Sequence, residues 1–388
     1  MKVLYCNPVF LDYRLPFYCQ INKILEGNFH VLYSKQRYLI LNRIDLYNKI
    51  ENELGENAHP LTTDYLFDTN SMSFRMTNIE KGHHIPFTFG LIRKIHKIKP
   101  DVLITEGFFQ WTPLILLYSI LFKKPLFIGY ERTCHTERNT SKIKIWHRKL
   151  TNKFVTGYLV NGSETLKYLK SLGIPEKKIH IVGMNADSKG LSSSIQNMSL
   201  LEKQKIKSQI ISDTGLLYLF SGRLTPKKGV TYLLTAWLSH IKKYPHDKLI
   251  LIGTGENYTA LTKQYNEDSI IFKGFVDYNL VYKYYAIADV FILPTLEDNW
   301  SLVVPEAMSC GLPVATSIYN GCAPELVKKD INGIVFDPLS QESLINALDY
   351  FHHQDLTQMG KKSKELEIPF NTENCAKRFC QTINNYSK

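Results

Sequence analysis

The chain contains 388 residues, of which 44% are hydrophobic and 21% are charged. This balance excludes a disordered chain, and the length suits two globular domains better than one. The net charge of +11 lies entirely in residues 1–190, which hold 27 of the 47 basic and 16 of the 36 acidic residues, so the remainder has 20 of each. This asymmetry favours a polyanionic partner, either anionic lipid or nucleic acid, although a basic surface without a partner gives the same counts.

In the first half of the chain, short apolar segments alternate with longer helical ones. The apolar segments are KVLYC, FHVLYS, DVLITEG, PLFIGY, GYLVNG and KIHIVGM. Such alternation is typical of parallel strands joined by crossover helices. It lapses over a polar stretch near 188–210, which we predict to be a linker or an exposed helix.

The alternation then restarts with LLYLFSGR, KLILIGTG, SIIFKGF, DVFILPT, LPVATS and GIVF. We therefore predict an α/β protein with two doubly wound domains, at 1–188 and 211–370, joined by a linker at 189–210. Ligands of open α/β sheets bind beyond the carboxyl ends of the strands, so the cleft between the domains is the expected site.

Two basic residues follow the first strand of the second domain. Arg223 comes directly after the strand, and Lys228 precedes an amphipathic helix. A guanidinium fork, an ammonium group and a helix start together favour phosphate binding. An exposed lysine in a turn is the ordinary alternative.

The segment LEDNWSLVVPEAMSCGLPVATS at 296–317 places two carboxylates around a predicted helix start near Val303. Asp298 lies in the loop and Glu306 in the first or second helical turn. The backbone N–H groups of 300–303 are expected to point outward, because the first turn of a helix leaves its donors unpaired. This cup suits a ligand with phosphates and sugar hydroxyls. Alternatively, Asp298 is a helix cap and Glu306 balances the helix dipole.

The order and spacing of GRLTPKKG, GTGE, KGFV, ADVFILPT, EDNWSLVVPEAMSCGLPV and NGIVFDP resemble family-4 glycosyltransferases of the GT-B fold. Asp298 and Glu306 fill that family's acid-x7-acid element, in which the first acid is usually Glu, so the adjacent Glu297 is an alternative. The resemblance implies two Rossmann-like domains facing a central cleft, the first binding the acceptor and the second the nucleotide sugar. It also implies that residues 371–388 form a helix returning to the first domain.

The resemblance further implies roles for individual residues. Glu306 would bind the ribose, Asp298 the sugar hydroxyls, and Arg223 with Lys228 the diphosphate, while His135 would lie near the reacting sugar. Further donor contacts are expected from Gly222, Gly274, Phe275, Asn299, Ser301, Leu302 and Val303. Arg14 and Glu106 are expected on the acceptor side.

The implied activity is transfer of a sugar from a nucleoside-diphosphate sugar to a glycan or lipid-linked acceptor, with retention, in the synthesis of cell-surface polysaccharide or glycoconjugate. No cofactor beyond this co-substrate and no metal site are expected, since the chain contains no D-x-D sequence. The alternatives are a GT-B sugar-nucleotide epimerase and a degenerate, non-catalytic partner subunit. A nucleic-acid-binding protein is suggested by charge alone, without a recognisable motif, so no nucleic-acid partner is expected.

The expected location is cytoplasmic, with peripheral attachment at the inner membrane face. The chain begins without a secretory signal, and its longest apolar run, at 112–122, is shorter than a spanning helix. The seven cysteines have no CxxC spacing, which favours a reducing compartment. The basic N-terminal half is the part expected to meet an anionic membrane.

Overall fold

The computed structural model describes residues 1–68, 84–88, 90–184, 188–212 and 214–386. In the N-terminal half the strands are β1 (Val3–Cys6), β2 (Phe29–Ser34), β3 (Ala58–Leu61), β4 (Asp64–Asp68), β5 (His84–Thr88), β6 (Val102–Glu106), β7 (Leu126–Tyr130), β8 (Gly157–Val160) and β9 (Ile179–Ile181). Strands β4 and β5 form an antiparallel pair. The others form one parallel sheet in the order β3-β2-β1-β6-β7-β8-β9.

Helices cover both faces of this sheet, as the apolar character of its strands requires. They are α1 (Arg14–Ile24), α2 (Lys35–Ile40), α3 (Ile44–Leu54), α4 (Leu91–Ile98), α5 (Thr112–Leu121), α6 (Lys142–Thr151) and α7 (Ser163–Ser171). The two faces bury separate clusters, one around Tyr5, Tyr18 and Phe29 and the other around Trp111, Ile115 and Tyr158.

The C-terminal half contains a second parallel sheet in the order β12-β11-β10-β13-β14-β15. Its strands are β10 (Leu217–Ser221), β11 (Lys248–Ile252), β12 (Ile270–Gly274), β13 (Val290–Leu293), β14 (Val314–Ser317) and β15 (Gly333–Phe336). The strand order reverses between β10 and β13, which is where doubly wound sheets open a ligand-binding crevice. The prediction of two doubly wound α/β domains is thus confirmed.

The remaining helices surround this sheet or connect it to the first domain. They are α8 (Ser188–Gln196), α9 (Leu200–Ser208), α10 (Val230–Lys243), α11 (Tyr258–Gln264), α12 (Tyr278–Ile287), α13 (Val303–Ser309), α14 (Ala323–Leu326), α15 (Gln341–Tyr350), α16 (Leu356–Glu367) and α17 (Thr372–Asn384). Among the described residues, no helix combines the length and apolarity that crossing a bilayer requires.

The polar segment predicted as a linker or exposed helix forms α8 and α9. Both helices pack against α12, and α8 also contacts α13. Leu191 and Ile195 are buried in the C-terminal core, and Met198, just after α8, is also buried. Their spacing places them on one side of the chain, so a segment that is polar overall still contributes an apolar stripe.

Helix α17 lies on the N-terminal domain although it ends the chain. It packs against α1, and its buried side chains Cys375, Phe379 and Ile383 belong to the cluster around Tyr5. The Phe379 ring contacts the rings of Tyr5, Phe17 and Phe29 at centroid distances of 6.4, 5.7 and 6.1 Å. The C-terminal segment therefore returns to the first domain and is held there by apolar packing.

Candidate functional site

The loops that follow β10 and β13 are held together at the switch point of the second sheet. Gly229 has φ +67°, and a Cβ there would lie 2.0 Å from the carbonyl oxygen of Pro294. The Leu296 N–H donates to the carbonyl of Lys227 at 2.7 Å. Only glycine permits this approach without strain. The turn that carries Lys228 is thus fixed against the loop that carries Asp298.

Lys228 and Asp298 meet directly across these loops. Lys228 Nζ lies 2.6 Å from Asp298 Oδ2, and both side chains are about one-fifth exposed, at 20% and 18%. The other carboxylate oxygen, Oδ1, accepts from the Trp300 N–H at 3.1 Å. Lys228 was expected at the diphosphate and Asp298 at the sugar; the structure pairs them with each other.

The neighbouring carboxylate, Glu297, points elsewhere. It pairs with Lys227 at 2.7 Å and with Arg138 of the first domain at 3.2 Å. Burial alone would raise the pKa of Glu297, but these two cations lower it. A second feature separates the two acids. The cleft between the domains contains a cavity, called the cleft cavity below, which is lined by Gly222, Lys228, Asp298 and Leu302 but not by Glu297. The geometry therefore favours Asp298 as the first acid of the pair.

Glu306 lies in the short helix α13, on the side that faces the first domain. The hydroxyls of Tyr278 and Tyr285 lie 3.4 Å from its Oε1 and Oε2. The pKa of Tyr285 is raised well above its usual value, by burial and then by the Glu306 charge. Glu306 lines a cavity of about 460 Å³ to which both domains contribute, with Asp12, Tyr13, Tyr278, Tyr282 and Leu302 among its walls.

The backbone donors predicted at 300–303 are only partly available. The Trp300 N–H is bonded to Asp298, and the Ser301 N–H donates to Oδ1 of buried Asn320 at 3.3 Å. Leu302 and Val303 line the cleft cavity. The expectation of four outward donors was wrong for the first two, because the side chain of Asp298, two residues earlier, and that of Asn320, from the next loop, occupy them.

Two polar side-chain atoms of this loop are buried without a protein partner. Asn299 Oδ1 and Ser301 Oγ have no hydrogen-bond partner among the described residues. Both residues line the cleft cavity. A buried polar atom without a partner is costly, so these two atoms are available to a polar ligand.

The other predicted donor contacts lie further out. Arg223 is exposed at the end of β10, while Gly222, with φ +154°, lines the cleft cavity. Gly274 has φ +68°. Phe275 is 75% exposed and does not line the cavity that holds Glu306. The structure thus brings Gly222 to Lys228 and Asp298 but leaves Arg223 and Phe275 at the surface.

His135 connects the two domains. Its Nε2–H donates to the carbonyl of Leu296 at 2.8 Å, and its ring stacks on Tyr319 at 4.5 Å. His135, the residue expected near the reacting sugar, is therefore bonded through this nitrogen to the loop before Asp298. This contact positions that loop against the first domain.

Two further contacts between the domains could not be read from local sequence. Asn161 Nδ2 donates to the Asn299 carbonyl at 3.3 Å. Glu325 Oε1 accepts from the Ser163 N–H at 2.5 Å, at the start of α7. A carboxylate at a helix N-terminus is favourable, but its partner lies 162 positions away in the chain.

On the side of the first domain, Arg14 is held between two carboxylates. It pairs with Glu131 and lies 3.4 Å from Glu106. Tyr5 donates to Glu106 at 2.6 Å. Burial alone would lower the pKa of Arg14, but Glu106 and the surrounding tyrosines raise it. The structure therefore brings Arg14 and Glu106 together, and it adds Glu131, which the sequence analysis missed.

A polar cavity of about 580 Å³ opens beside this cluster. Its walls include Glu106, Phe109, Glu131, Lys144, Arg148 and, from the second domain, Asn299. Asn299 and Glu131 also line the cleft cavity next to Asp298. The polar cavity of the first domain thus adjoins the cavity that Lys228 and Asp298 line.

Among the described residues, one group of side chains has the composition of a metal site. It consists of His240, Asp247 and His352, with both Nε2 atoms 2.7–2.8 Å from Asp247 Oδ2. Asp247 precedes β11, so this group lies at the amino end of the sheet, away from Asp298 and Glu306. His352 lies 105 positions from Asp247 in the chain, which is why no such cluster was predicted. Their separations are those of hydrogen bonds.

Comparison with known proteins agrees with this geometry. Residues 202–366 match the family Glycosyl transferases group 1. An uncharacterized glycosyltransferase of Methanocaldococcus jannaschii is 31% identical over 163 residues, 39% of this chain and 40% of that protein. Alpha-monoglucosyldiacylglycerol synthase of Acholeplasma laidlawii is 26% identical over 318 residues, 75% of this chain and 77% of that protein. The chain spans less than half the length of the first two curated relatives it matches, 40% and 44%.

The crystal structure of Anabaena HepE in complex with UDP superposes on the described fold with a TM-score of 0.75 at 15% identity, covering 99% of this chain and 100% of that one. At this identity the likeness shows the fold alone. At the level of group 1 glycosyltransferases, the resemblance noted in the sequence is thereby confirmed: residues 202–366 match that family, within a chain that has the two-domain GT-B fold.

Proposed function

We propose that this chain transfers a sugar from a nucleoside-diphosphate sugar to a glycan or lipid-linked acceptor. The observation that carries the proposal is the convergence of Lys228, Asp298 and Glu306 at the carboxyl ends of β10 and β13, facing the first domain. The group 1 match covers these residues. A related fold has been solved with UDP bound.

The main catalytic demand in such a transfer is stabilising the negative charge of the departing diphosphate. Lys228 supplies a cation from a fixed turn, and the backbone near Leu302 and Val303 adds donors. When phosphate arrives, Lys228 exchanges its Asp298 partner for phosphate oxygens. The carboxylate thus released accepts hydrogen bonds from the hydroxyls of the sugar.

The nucleoside belongs in the cavity that contains Glu306. A carboxylate accepts hydrogen bonds from ribose hydroxyls, and Tyr278 and Tyr282 offer ring surfaces beside it. Asn299 Oδ1 and Ser301 Oγ, buried without protein partners, supply further polar contacts along the cleft. Arg223 is exposed, and it reaches the diphosphate only if its side chain turns inward on binding.

The acceptor belongs in the polar cavity of the first domain, which adjoins Asp298 through Glu131 and Asn299. An acceptor that contains a lipid is supported by the relative whose name states that it makes alpha-monoglucosyldiacylglycerol. We further propose that transfer retains the anomeric configuration, uses neither a metal nor an enzymic nucleophile, and serves cell-surface polysaccharide or glycoconjugate synthesis. The enzyme then works in the cytoplasm, peripherally attached to the inner membrane face.

A panel of labelled UDP-, GDP- and ADP-sugars tests the proposal. We expect calorimetry to detect binding of one nucleotide class and label to move into lipid or glycan acceptors, with product anomers read by NMR. Epimerised donor without transfer would instead identify an epimerase. Absence of binding to every nucleotide sugar would identify a non-catalytic subunit and overturn the proposal.

A further inference from the structure

Two neighbouring helices of the first domain expose apolar side chains where a helix of a soluble domain is ordinarily polar. On α6, Ile143 is 78% exposed and Trp146 is 64% exposed, and Leu150 lies on the same face. Phe154, just after the helix, is 50% exposed. The α5–α6 face, as we define it, comprises Leu117, Ile120, Leu121, Phe122, Ile143, Trp146, Leu150 and Phe154.

These residues belong to one surface. Helices α5 and α6 follow the consecutive parallel strands β6 and β7, so right-handed crossovers place both helices on the same side of the sheet. Both helices pack on the cluster around Trp111 and Tyr158. The ring of Phe109, just before α5, stacks on His147 of α6 at 5.0 Å. Exposed apolar patches of this kind mark interaction sites.

The charge around the α5–α6 face has one sign. The segments 112–124 and 141–154 contain no Asp or Glu, and their basic residues are Lys123, Lys124, Lys142, Lys144, Arg148, Lys149 and Lys153. Arg148 is buried, whereas Lys142, Lys149 and Lys153 are exposed beside the apolar stripe of α6. A second copy of this chain would bring lysines against lysines. A layer of anionic headgroups above an apolar interior complements both features.

We propose that the α5–α6 face docks on a bilayer surface that contains anionic lipid. Trp146 and Ile143 enter the interfacial region, and the flanking lysines lie at the phosphates. The polar cavity of the first domain, in which we place the acceptor, adjoins this face. Phe109, just before α5, and Lys144 and Arg148, on α6, line that cavity. A lipid-linked acceptor can thus reach the cavity while its chains stay in the bilayer. The delivery of a lipid-linked acceptor to the cavity rests on the proposed function, whereas docking on the bilayer does not.

Trp146 provides a direct probe of docking. Of the chain's four tryptophans, all within the described residues, the other three are at most 3% exposed. We expect vesicles of phosphatidylglycerol and phosphatidylcholine to shift the emission to shorter wavelengths and to protect it from acrylamide. Phosphatidylcholine alone should do neither. Trp146→Phe should retain vesicle sedimentation to within a few fold but lose the shift. Sedimentation onto anionic vesicles with Trp146 still fully quenched would place docking elsewhere and overturn the proposal.

Matched variants separate the two contributions. Replacing Ile143 and Trp146 by Ser should lower the partition coefficient at least about tenfold. Each of Lys142→Gln, Lys149→Gln and Lys153→Gln should lower it about fivefold at low salt. The control replaces Leu200 and Leu201 on α9 by Ser, because they are 71% and 77% exposed beside lysines of the second domain. An equal loss from this control would overturn the assignment.

Donor binding distinguishes failure of this inference from failure of the proposed function. None of the altered residues lines the nucleotide or acceptor cavities, so calorimetry with the nucleotide sugar should be unchanged in all of them. Intact donor binding without vesicle binding would reject the docking surface alone. Vesicle binding without donor binding would reject the transferase proposal alone. Binding of the face to a protein, with none to anionic vesicles, would also reject the bilayer as its partner.

Discussion

Lys228 Nζ lies 2.6 Å from Asp298 Oδ2, across two loops that are 70 residues apart in the chain. The pair places a cation and a carboxylate at the carboxyl ends of adjacent strands, where a doubly wound sheet binds ligands. Each group is held in position by the opposite charge of the other. Removing either residue should therefore also leave the charge of the other without its partner, in addition to removing a contact to the ligand.

Lys228→Ala should weaken donor binding by about 1.5–3 kcal/mol, because a charge-assisted contact to phosphate is lost. Transfer should fall with it, while the melting temperature stays near that of the parent. Calorimetry and turnover measure these effects.

Lys227→Ala is the matched control, since this neighbouring lysine is 70% exposed and pairs with Glu297. Lys227→Ala and Glu297→Gln should leave donor affinity nearly unchanged. Asp298→Asn should weaken donor binding. If the Glu297 variant weakens binding and the Asp298 variant does not, the assignment of the first acid is wrong.

Glu306→Ala should weaken nucleotide binding by a similar amount, about 1.5–3 kcal/mol, because a carboxylate acceptor for ribose hydroxyls disappears. A donor with a 2′,3′-dideoxyribose should bind the parent and the variant equally. Glu365→Ala, which alters an exposed carboxylate on α16 paired with Lys362, serves as the control. Unchanged affinity for the normal donor in Glu306→Ala would remove this residue from the site.

Excess EDTA should leave turnover unchanged, because Lys228 supplies the charge that a divalent ion provides in other sites. The assay should be run after exhaustive dialysis, with thermal melting alongside. Lost turnover restored by manganese would show that the reaction needs a metal. A lower melting temperature with intact turnover would instead indicate a structural ion, for which His240, Asp247 and His352 are the group to test.

Phe379→Ala should lower the free energy of unfolding by about 3–5 kcal/mol, because it empties a space enclosed by Tyr5, Phe17 and Phe29. Deleting 371–388 should lower stability and activity together. Gln381→Ala, at an exposed position of the same helix, is the control for Phe379 and should melt like the parent. Wild-type melting and turnover in the truncated chain would contradict this account of α17.

Glu137→Gln should destabilise the protein at neutral pH and less so in acid. The carboxylate pairs with Arg148 at 2.8 Å, and Arg148 is buried among the rings of Phe108, Tyr130 and Tyr168. Losing the partner of a buried charge costs about 3–5 kcal/mol.

The direction of the pH effect follows from the pKa of Glu137. Burial alone would raise it, but hydrogen bonds from Arg148 and Thr140 lower it below its ordinary value of 4.5. The stabilisation is therefore complete above the unfolded pKa and is lost as the pH falls through the folded pKa. Urea unfolding at pH 7 and at successively lower pH should show the difference between parent and variant shrinking. A constant difference would contradict it.

Much of the fold could be predicted from sequence because it depends on local pattern. Short apolar runs between helical segments indicate parallel strands whatever the rest of the chain does. Both sheets contain the strands predicted in this way. The helix that carries Glu306 begins at Val303, as the sequence indicated. Lys228 could be recognised as a candidate because it lies in a basic turn directly after a predicted strand. Counting residues showed the excess of positive charge in the first half of the chain. It did not show on which surface those charges lie.

Only the tertiary structure decided which of these groups meet. Lys228 pairs with Asp298 because the reversed strand order brings β10 beside β13. Asn320 binds the Ser301 N–H, and His135 binds the Leu296 carbonyl, because loops that follow different strands meet at the same edge of the molecule. The exposed apolar stripe of α6 has the composition of a buried one. Periodicity determines that such a stripe exists, whereas the packing of neighbouring elements determines whether it is covered.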